Sequence, residues 1–258
     1  MNNLTIIIPS RKQEKQISFL QTAIESVRKQ TIANQFLIKF LIGVDKGCKL
    51  DTVTAKYLGV CCVESDGASQ AKALNVAIKQ LHEGFVAFLE DDDQWMPDFL
   101  YFAMQNIMLC DFVSSTQEEF DESNNFIRVN YFPTPSGWFM PISTLKKVGL
   151  FNEDYRFHLD NEWLGRLSEA KLKRLHMVES NTPIKNIDTQ KVKPKLKNIL
   201  QFSGGFCNLT NHDSPNPLVR RLVHSNSGMV NIARNKECSV ISKLELGTLR
   251  NRYGFIPW

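Results

Sequence analysis

Phe85-Val86-Ala87-Phe88-Leu89-Glu90-Asp91-Asp92-Asp93-Gln94-Trp95 is the stretch on which the reading of this chain turns. Its first half is a short, unbroken apolar run, the pattern of a strand buried on both faces. Its second half sets four carboxylates in succession at the end of that strand. Like charges repel by roughly 1 kcal/mol per pair at 4 Å in water, and by more where solvent is limited. A fold keeps such a cluster by leaving it solvated or by neutralising it with a cation. Mg2+ and Mn2+ suit the second case: both are hard, take carboxylate oxygens and leave positions for substrate phosphates. The plainer alternative is a solvated acidic turn that caps a helix starting near Pro97. An EF-hand loop does not fit, because the alternating ligands and the central glycine are missing.

On either side of this segment strands and helices alternate. Leu4–Ile8 reads as a strand ending in Pro9-Ser10-Arg11, and Ile17, Leu20, Ile24 and Val27 recur at helical spacing. Phe36–Val44 is a second buried strand, closed by Asp45-Lys46-Gly47, and Val60–Val63 a short third one. Ala71, Leu74, Ile78 and Leu81 mark one helix face; Leu100, Ala103 and Ile107 mark another. Such alternation predicts an α/β fold with a mostly parallel sheet and helices on both faces. Ligands of such sheets bind outside the carboxyl ends of the strands. Ser10-Arg11, Asp45 and the acidic run are therefore expected to meet in one crevice.

The chain has 258 residues, 43% of them hydrophobic and 22% charged, which is ordinary for a soluble globular protein. A formal net charge of +4 gives no sign of a nucleic-acid partner. Cys48, Cys61, Cys62, Cys110, Cys207 and Cys238 form no C-x-x-C pair and no zinc spacing, so reduced thiols in a reducing, cytoplasmic compartment are expected. The chain begins almost at once on a strand, without the basic and apolar regions of a signal peptide. No apolar stretch reaches about 18 residues, so no transmembrane helix is expected. From about Lys185 the character changes. Lys185, Lys191, Lys193, Lys195 and Lys197 crowd a stretch with Pro194 and weak periodicity. The expected division is a domain over 1–185, then a lysine-rich linker and a small, mainly helical extension over 186–258. The lysine stretch has three readings: a solvated linker, a mobile lid that closes over a bound anionic substrate, or a contact with an anionic membrane surface at the inner face.

Together the segments TIIIPSR, FLIGVDKG, GASQAKALNVAI, VAFLEDDDQWMPDFL and VGLFNEDYRFHLDNEWLGRL resemble glycosyltransferase family 2, in its order and at about its spacing, over roughly residues 3–180. The resemblance implies the GT-A fold, a Rossmann-like α/β architecture, and an inverting, metal-dependent transfer from a nucleotide-sugar, a UDP-sugar in the first instance. It puts Pro9 and Arg11 at the nucleotide base and ribose, Asp45 at the base, and Lys72 and Asn75 in the segment facing the nucleotide. Lys46-Gly47-Cys48 departs from the second Asp and the Ser that many members carry. Aligned on Trp95 and Pro97, the D-x-D motif falls at Glu90-Asp91-Asp92. Asp92 is then the main ligand of Mn2+ or Mg2+, Glu90 or Asp91 contacts ribose or uracil, and Asp93 supports from beside. Literal matching gives Asp91-Asp92-Asp93 instead. Asp160 falls at the family's catalytic base, six residues before Arg166, with Glu162 the runner-up because Leu159 replaces the usual Glu of a Glu-Asp pair.

A leaving diphosphate gains charge that a divalent ion stabilises, and an acceptor hydroxyl must lose a proton to a carboxylate. One base and no covalent step means inversion. Asp160 also reads as an N-cap of the helix through Trp163 and Leu167. Trp138 is a candidate to stack on an acceptor sugar, with core packing as the alternative. His224 is a candidate metal ligand, with a structural role as the alternative, and His158 and His176 read as structural. The acceptor is expected to be a glycan or a lipid-linked sugar; a homodimer stays open. PSRKQEK lacks the glycines of a sugar nucleotidyltransferase loop, and no G-x-G-x-x-G marks a dinucleotide oxidoreductase. A catalytically silent nucleotide-sugar-binding or scaffold protein of the same fold remains the competing class.

Overall fold

Leu4, Ile6 and Ile8 pack into one core cluster and Ile7 into another, and all four are fully buried. That two-sided burial is why the N-terminal run is unbroken rather than alternating. The computed structural model of the chain describes residues 1–10, 14–182, 207–225 and 227–257. Arg11, Pro194 and the lysines at 185, 191, 193, 195 and 197 lie outside the described residues.

In chain order the first half runs β1 (Asn2–Ser10), α1 (Glu14–Arg28), β2 (Phe36–Val44), α2 (Thr52–Leu58), β3 (Cys61–Glu64), α3 (Gln70–Ile78), β4 (Phe85–Phe88), β5 (Gln94–Trp95) and α4 (Phe99–Ile107). There follow β6 (Phe112–Ser115), β7 (Gln117–Asp121), β8 (Phe126–Asn130), β9 (Phe139–Pro141), α5 (Ile142–Val148), α6 (Leu159–Glu169) and β10 (Arg174–Val178). The last part holds β11 (Cys207–Asn211), β12 (Val219–Val223), α7 (Gly228–Arg234) and α8 (Lys236–Tyr253). No helix among the described residues is long and apolar enough to cross a membrane.

Eight strands form the main sheet in the order β11-β10-β6-β9-β4-β1-β2-β3. All its pairings are parallel except those of β9, which runs antiparallel to both β4 and β6. One face is covered by α1 and α4, the other by α3, α5, α6 and α8. This is the expected α/β architecture. The helix after the acidic run starts at Phe99, two residues beyond Pro97. Residues after 206 add two strands before turning helical. Gly43 on β2 shows how closely α3 lies against the sheet: a Cβ there would stand 2.0 Å from the Ala73 carbonyl oxygen. A side chain at 43 would push α3 away.

A second sheet, in the order β5-β12-β7-β8, stands at the end of the acidic segment. Its strand β7 is polar, Gln117-Glu118-Glu119-Phe120-Asp121. Glu119 is nonetheless buried. It accepts from Arg128 Nε at 2.6 Å and Asn130 Nδ2 at 2.9 Å, both on β8, and from Arg221 Nη1 of β12 at 3.3 Å. A buried carboxylate persists when paired and hydrogen-bonded in this way.

Candidate active site

Strand register brings the polar groups together. Ile7 stands opposite Phe88, so three residues on Ser10 draws level with Asp91. Ser10 Oγ donates to Asp91 Oδ2 at 2.6 Å. On the other side of β1, Ser10 pairs with Val44, directly before Asp45. The carboxyl ends of β1, β2 and β4 thus share one edge of the sheet, with Asp45 largely buried at the end of β2. Pro9 lies in β1 opposite Gly43.

Within the acidic run the four carboxylates divide by environment. Oxygens of Glu90, Asp92 and Asp93 lie within 4.8 Å of one another, whereas Asp91 turns to Ser10. Gln70 Nε2, from the first turn of α3, donates to Glu90 Oε1 at 2.8 Å. Asp93 is almost fully buried and accepts from Ser136 Oγ at 2.6 Å and from the Leu222 N–H at 3.1 Å. The same Ser136 Oγ accepts from the Glu90 N–H at 3.0 Å. Asp92 Oδ2 lies 2.9 Å from His224 Nε2. Burial, and then the neighbouring acids, raise Asp91 to about 7 and Asp93 well above the usual carboxylate range. Glu90 is also raised, by burial first, with Arg221 opposing and Asp92 adding to the shift. The cluster is therefore short of positive charge. Arg221 supplies some, and its own pKa is raised by Glu90, Asp93, Glu119 and Asp92 against the cost of burial.

Asp160 lies in the first turn of α6, half-buried. The N-cap position belongs to His158, so the capping role expected of Asp160 is corrected: its Oδ1 instead accepts from the adjacent Asn161 N–H at 2.9 Å. Burial raises Asp160 to about 7, with the Glu90 charge adding and the Asn161 N–H and Arg221 opposing. Glu162 is tied up elsewhere. It is fully buried and pairs with Arg166 Nη2 at 2.8 Å and with Arg252 Nη1 at 3.4 Å.

Three further candidates take other roles in this conformation. Trp138 has no exposed surface and packs among Phe88, Phe112, Phe151 and Trp163, with Nε1 donating to the Pro133 carbonyl at 2.6 Å. No face remains for a sugar, so the acceptor-stacking expectation is corrected to core packing. Asn75 spends its amide on the loop before α6: Nδ2 donates to the Phe151 carbonyl and Glu153 Oε1, each at 2.9 Å, and Oδ1 accepts from the Phe151 N–H at 2.8 Å. Lys72 Nζ pairs with Asp66 at 3.1 Å. Gln70, Ser136 and Arg221 touch or neutralise the acidic run and were not singled out from sequence. Gln70 alone carried a signal, standing at the head of the α3 segment.

A cavity of about 330 Å3 opens beside Asp92, walled by Phe19 and Thr22 of α1, the β7–β8 turn and Arg220–Leu222 of β12. The arrangement offers a cleft, a carboxylate cluster for a cation and a separate carboxylate poised to exchange a proton near neutral pH.

No family model matches the chain, and no curated protein does. Solved structures do. The S. aureus TarS 1-349 structure in complex with UDP-GlcNAc is 14% identical, with a TM-score of 0.59 over 98% of this chain and 73% of that one. The longer S. aureus TarS structure gives 0.56 at 14% identity; it covers 98% of this chain, which spans 44% of that one. The mannosyltransferase PcManGT from Pyrobaculum calidifontis, in complex with GDP-Man and Mn2+, gives 0.53 at 12% identity over 79% and 69% of the two chains. At these identities the likeness is one of fold: a largely parallel α/β sheet of the GT-A type.

Proposed function

We propose that this chain is a metal-dependent, inverting glycosyltransferase of the family 2 kind. It moves a sugar from a nucleotide-sugar, a UDP-sugar in the first instance, to a hydroxyl of a glycan or lipid-linked acceptor. The observation that carries the reading is the convergence of Glu90, Asp92 and Asp93 at the carboxyl end of β4, with Asp160 feeling the Glu90 charge from a separate helix. The likeness of fold to TarS in complex with UDP-GlcNAc and to the mannosyltransferase in complex with GDP-Man and Mn2+ supports it.

The donor set fits Mn2+ or Mg2+: all three groups offer oxygen, and the cluster favours protons on Glu90 and Asp93 where positive charge is lacking. Asp92 and Glu90 would hold the ion, with Asp93 fixed behind them by Ser136 and Leu222 and His224 alongside. A cation bound there supplies Lewis-acid stabilisation of charge developing on the leaving diphosphate. Asp91, Asp45 and Pro9 border the edge assigned to the nucleoside, with Lys72 and Asn75 on the neighbouring helix; Arg11 belongs to the same proposal. Asp160 is the base that takes the acceptor proton, because its pKa of about 7 suits proton uptake near neutrality and Glu162 is engaged by two arginines. One base without a covalent step inverts the anomeric carbon. The reading assigns catalysis to residues 1–185, with β12 from the remainder walling the cavity beside Asp92.

A thermal-shift screen of UDP-, GDP-, dTDP- and CMP-sugars, with and without Mn2+, tests this. A donor at 100 times its Kd adds about 2.7 kcal/mol of stability. A shift that needs Mn2+ is expected for one nucleotide. No shift with any donor would overturn the reading, and a shift without turnover would favour a silent binding protein.

A further inference from the structure

Glu245 of α8 is a buried carboxylate that accepts three consecutive backbone N–H groups from another part of the chain. Arg156 N lies 2.6 Å from Oε1; Phe157 N and His158 N each lie 3.0 Å from Oε2. Successive N–H groups turned to one side form a concavity for an anion. Here the anion comes from the protein itself, 87 to 89 residues downstream. His158, the last of the three, is the N-cap of α6, and Asp160 follows two residues later.

Other contacts dock the C-terminal segment onto the same turn. Asn161 Nδ2 donates to the Pro257 carbonyl at 2.6 Å, and His158 Nε2 lies 2.8 Å from Ser242 Oγ. Farther along α6, Gly165 lies so near Tyr253 that a Cβ would come within 2.4 Å of the ring. The body of α6 has an anchor of its own, since Trp163, Leu164 and Leu167 are fully buried in the core. Loss of the Glu245 bonds would therefore free the 156–158 approach that leads into the first turn of α6, while the helix itself stays packed.

We propose that Glu245 is a positioning residue for Asp160: by holding residues 156–158 it fixes the turn from which the base reaches the acceptor hydroxyl. This rests on the transferase reading above. A misplacement of about 1 Å costs on the order of 100-fold in rate. In the full chain, Glu245→Ala is expected to lower kcat about 100-fold and leave donor KM and Mn2+-dependent UDP binding unchanged. Glu245→Gln keeps one oxygen for two of the N–H groups and should fall between Ala and wild type; it also serves should the Ala variant not fold. Hydrogen exchange at the Arg156–His158 amides should speed up in the same order, a readout independent of activity. Wild-type kcat in a variant whose 156–158 amides exchange faster would overturn the positioning role alone. Absence of turnover in the wild-type protein would remove the transfer reading, and the Asp160 role with it, while exchange would still report the contact.

Discussion

His224 Nε2 lies 2.9 Å from Asp92 Oδ2, across 132 positions of sequence. The bond to Asp92 raises the histidine pKa, against the cost of burial. The imidazole thus reaches the acidic run from the loop after β12. Groups that orient a ligand carboxylate typically contribute 10- to 100-fold in metal affinity. His224→Ala is accordingly expected to weaken Mn2+ binding by about that factor without unfolding the protein. Calorimetric titration of Mn2+ into both proteins checks it; equal affinities would remove His224 from the site.

Asp160 acts in the proposed step only when unprotonated. Its folded pKa of about 7 makes kcat/KM rise with pH up to about 7 and level off above it. Asp160→Asn should lower kcat by about 10²- to 10⁴-fold, lose that limb of the profile and keep donor affinity. Rate profiles between pH 5.5 and 8.5, set as roughly spanning the expected pKa, decide it. Wild-type turnover by Asp160→Asn would exclude the role.

Asp91 carries a stability signature. Unfolded, an Asp titrates near about 3.9; folded, Asp91 titrates near 7 because burial and Asp92 disfavour its charge. Between those values the folded state holds a proton the unfolded chain has lost. Stability fully present below about pH 4 is thus lost as pH rises through about 7, by up to about 1.4 kcal/mol per unit. In EDTA, urea unfolding should show a weaker pH dependence for Asp91→Asn than for the wild type across this window.

Arg166 shields a fully buried charge. It bonds both oxygens of Glu162 and the carbonyls of Val148 and Leu150. Removing one partner of a buried pair costs about 3–5 kcal/mol. Arg252 still reaches Glu162, so Arg166→Ala should sit near the low end, about 3 kcal/mol by denaturant unfolding. A change under 1 kcal/mol, roughly the surface-pair range, would contradict this.

The parts of the fold legible in sequence are those whose residues are buried on two sides. Ile6–Ile8, Phe40–Val44 and Val86–Phe88 read as strand because local composition alone reports their burial. The second sheet was illegible for the opposite reason. Gln117–Asp121 is polar, and what makes it a buried strand is Arg128 and Arg221, distant residues with no local mark. The acidic run was visible as a cluster, but which carboxylates converge was not. That depends on register with β1, which gives Asp91 to Ser10 and leaves Glu90, Asp92 and Asp93 together. Trp138 misled because an aromatic beside a strand looks the same in sequence whether it faces a ligand or a core.

The most direct test of the account is release of nucleoside diphosphate from a nucleotide-sugar, measured for the wild type and Asp92→Asn with Mn2+ and with EDTA. The account predicts release by the wild type with at least one donor, its loss in EDTA, and its near-abolition in a folded Asp92→Asn protein. Release unaffected by EDTA, or retained in full by Asp92→Asn at limiting Mn2+, would contradict it.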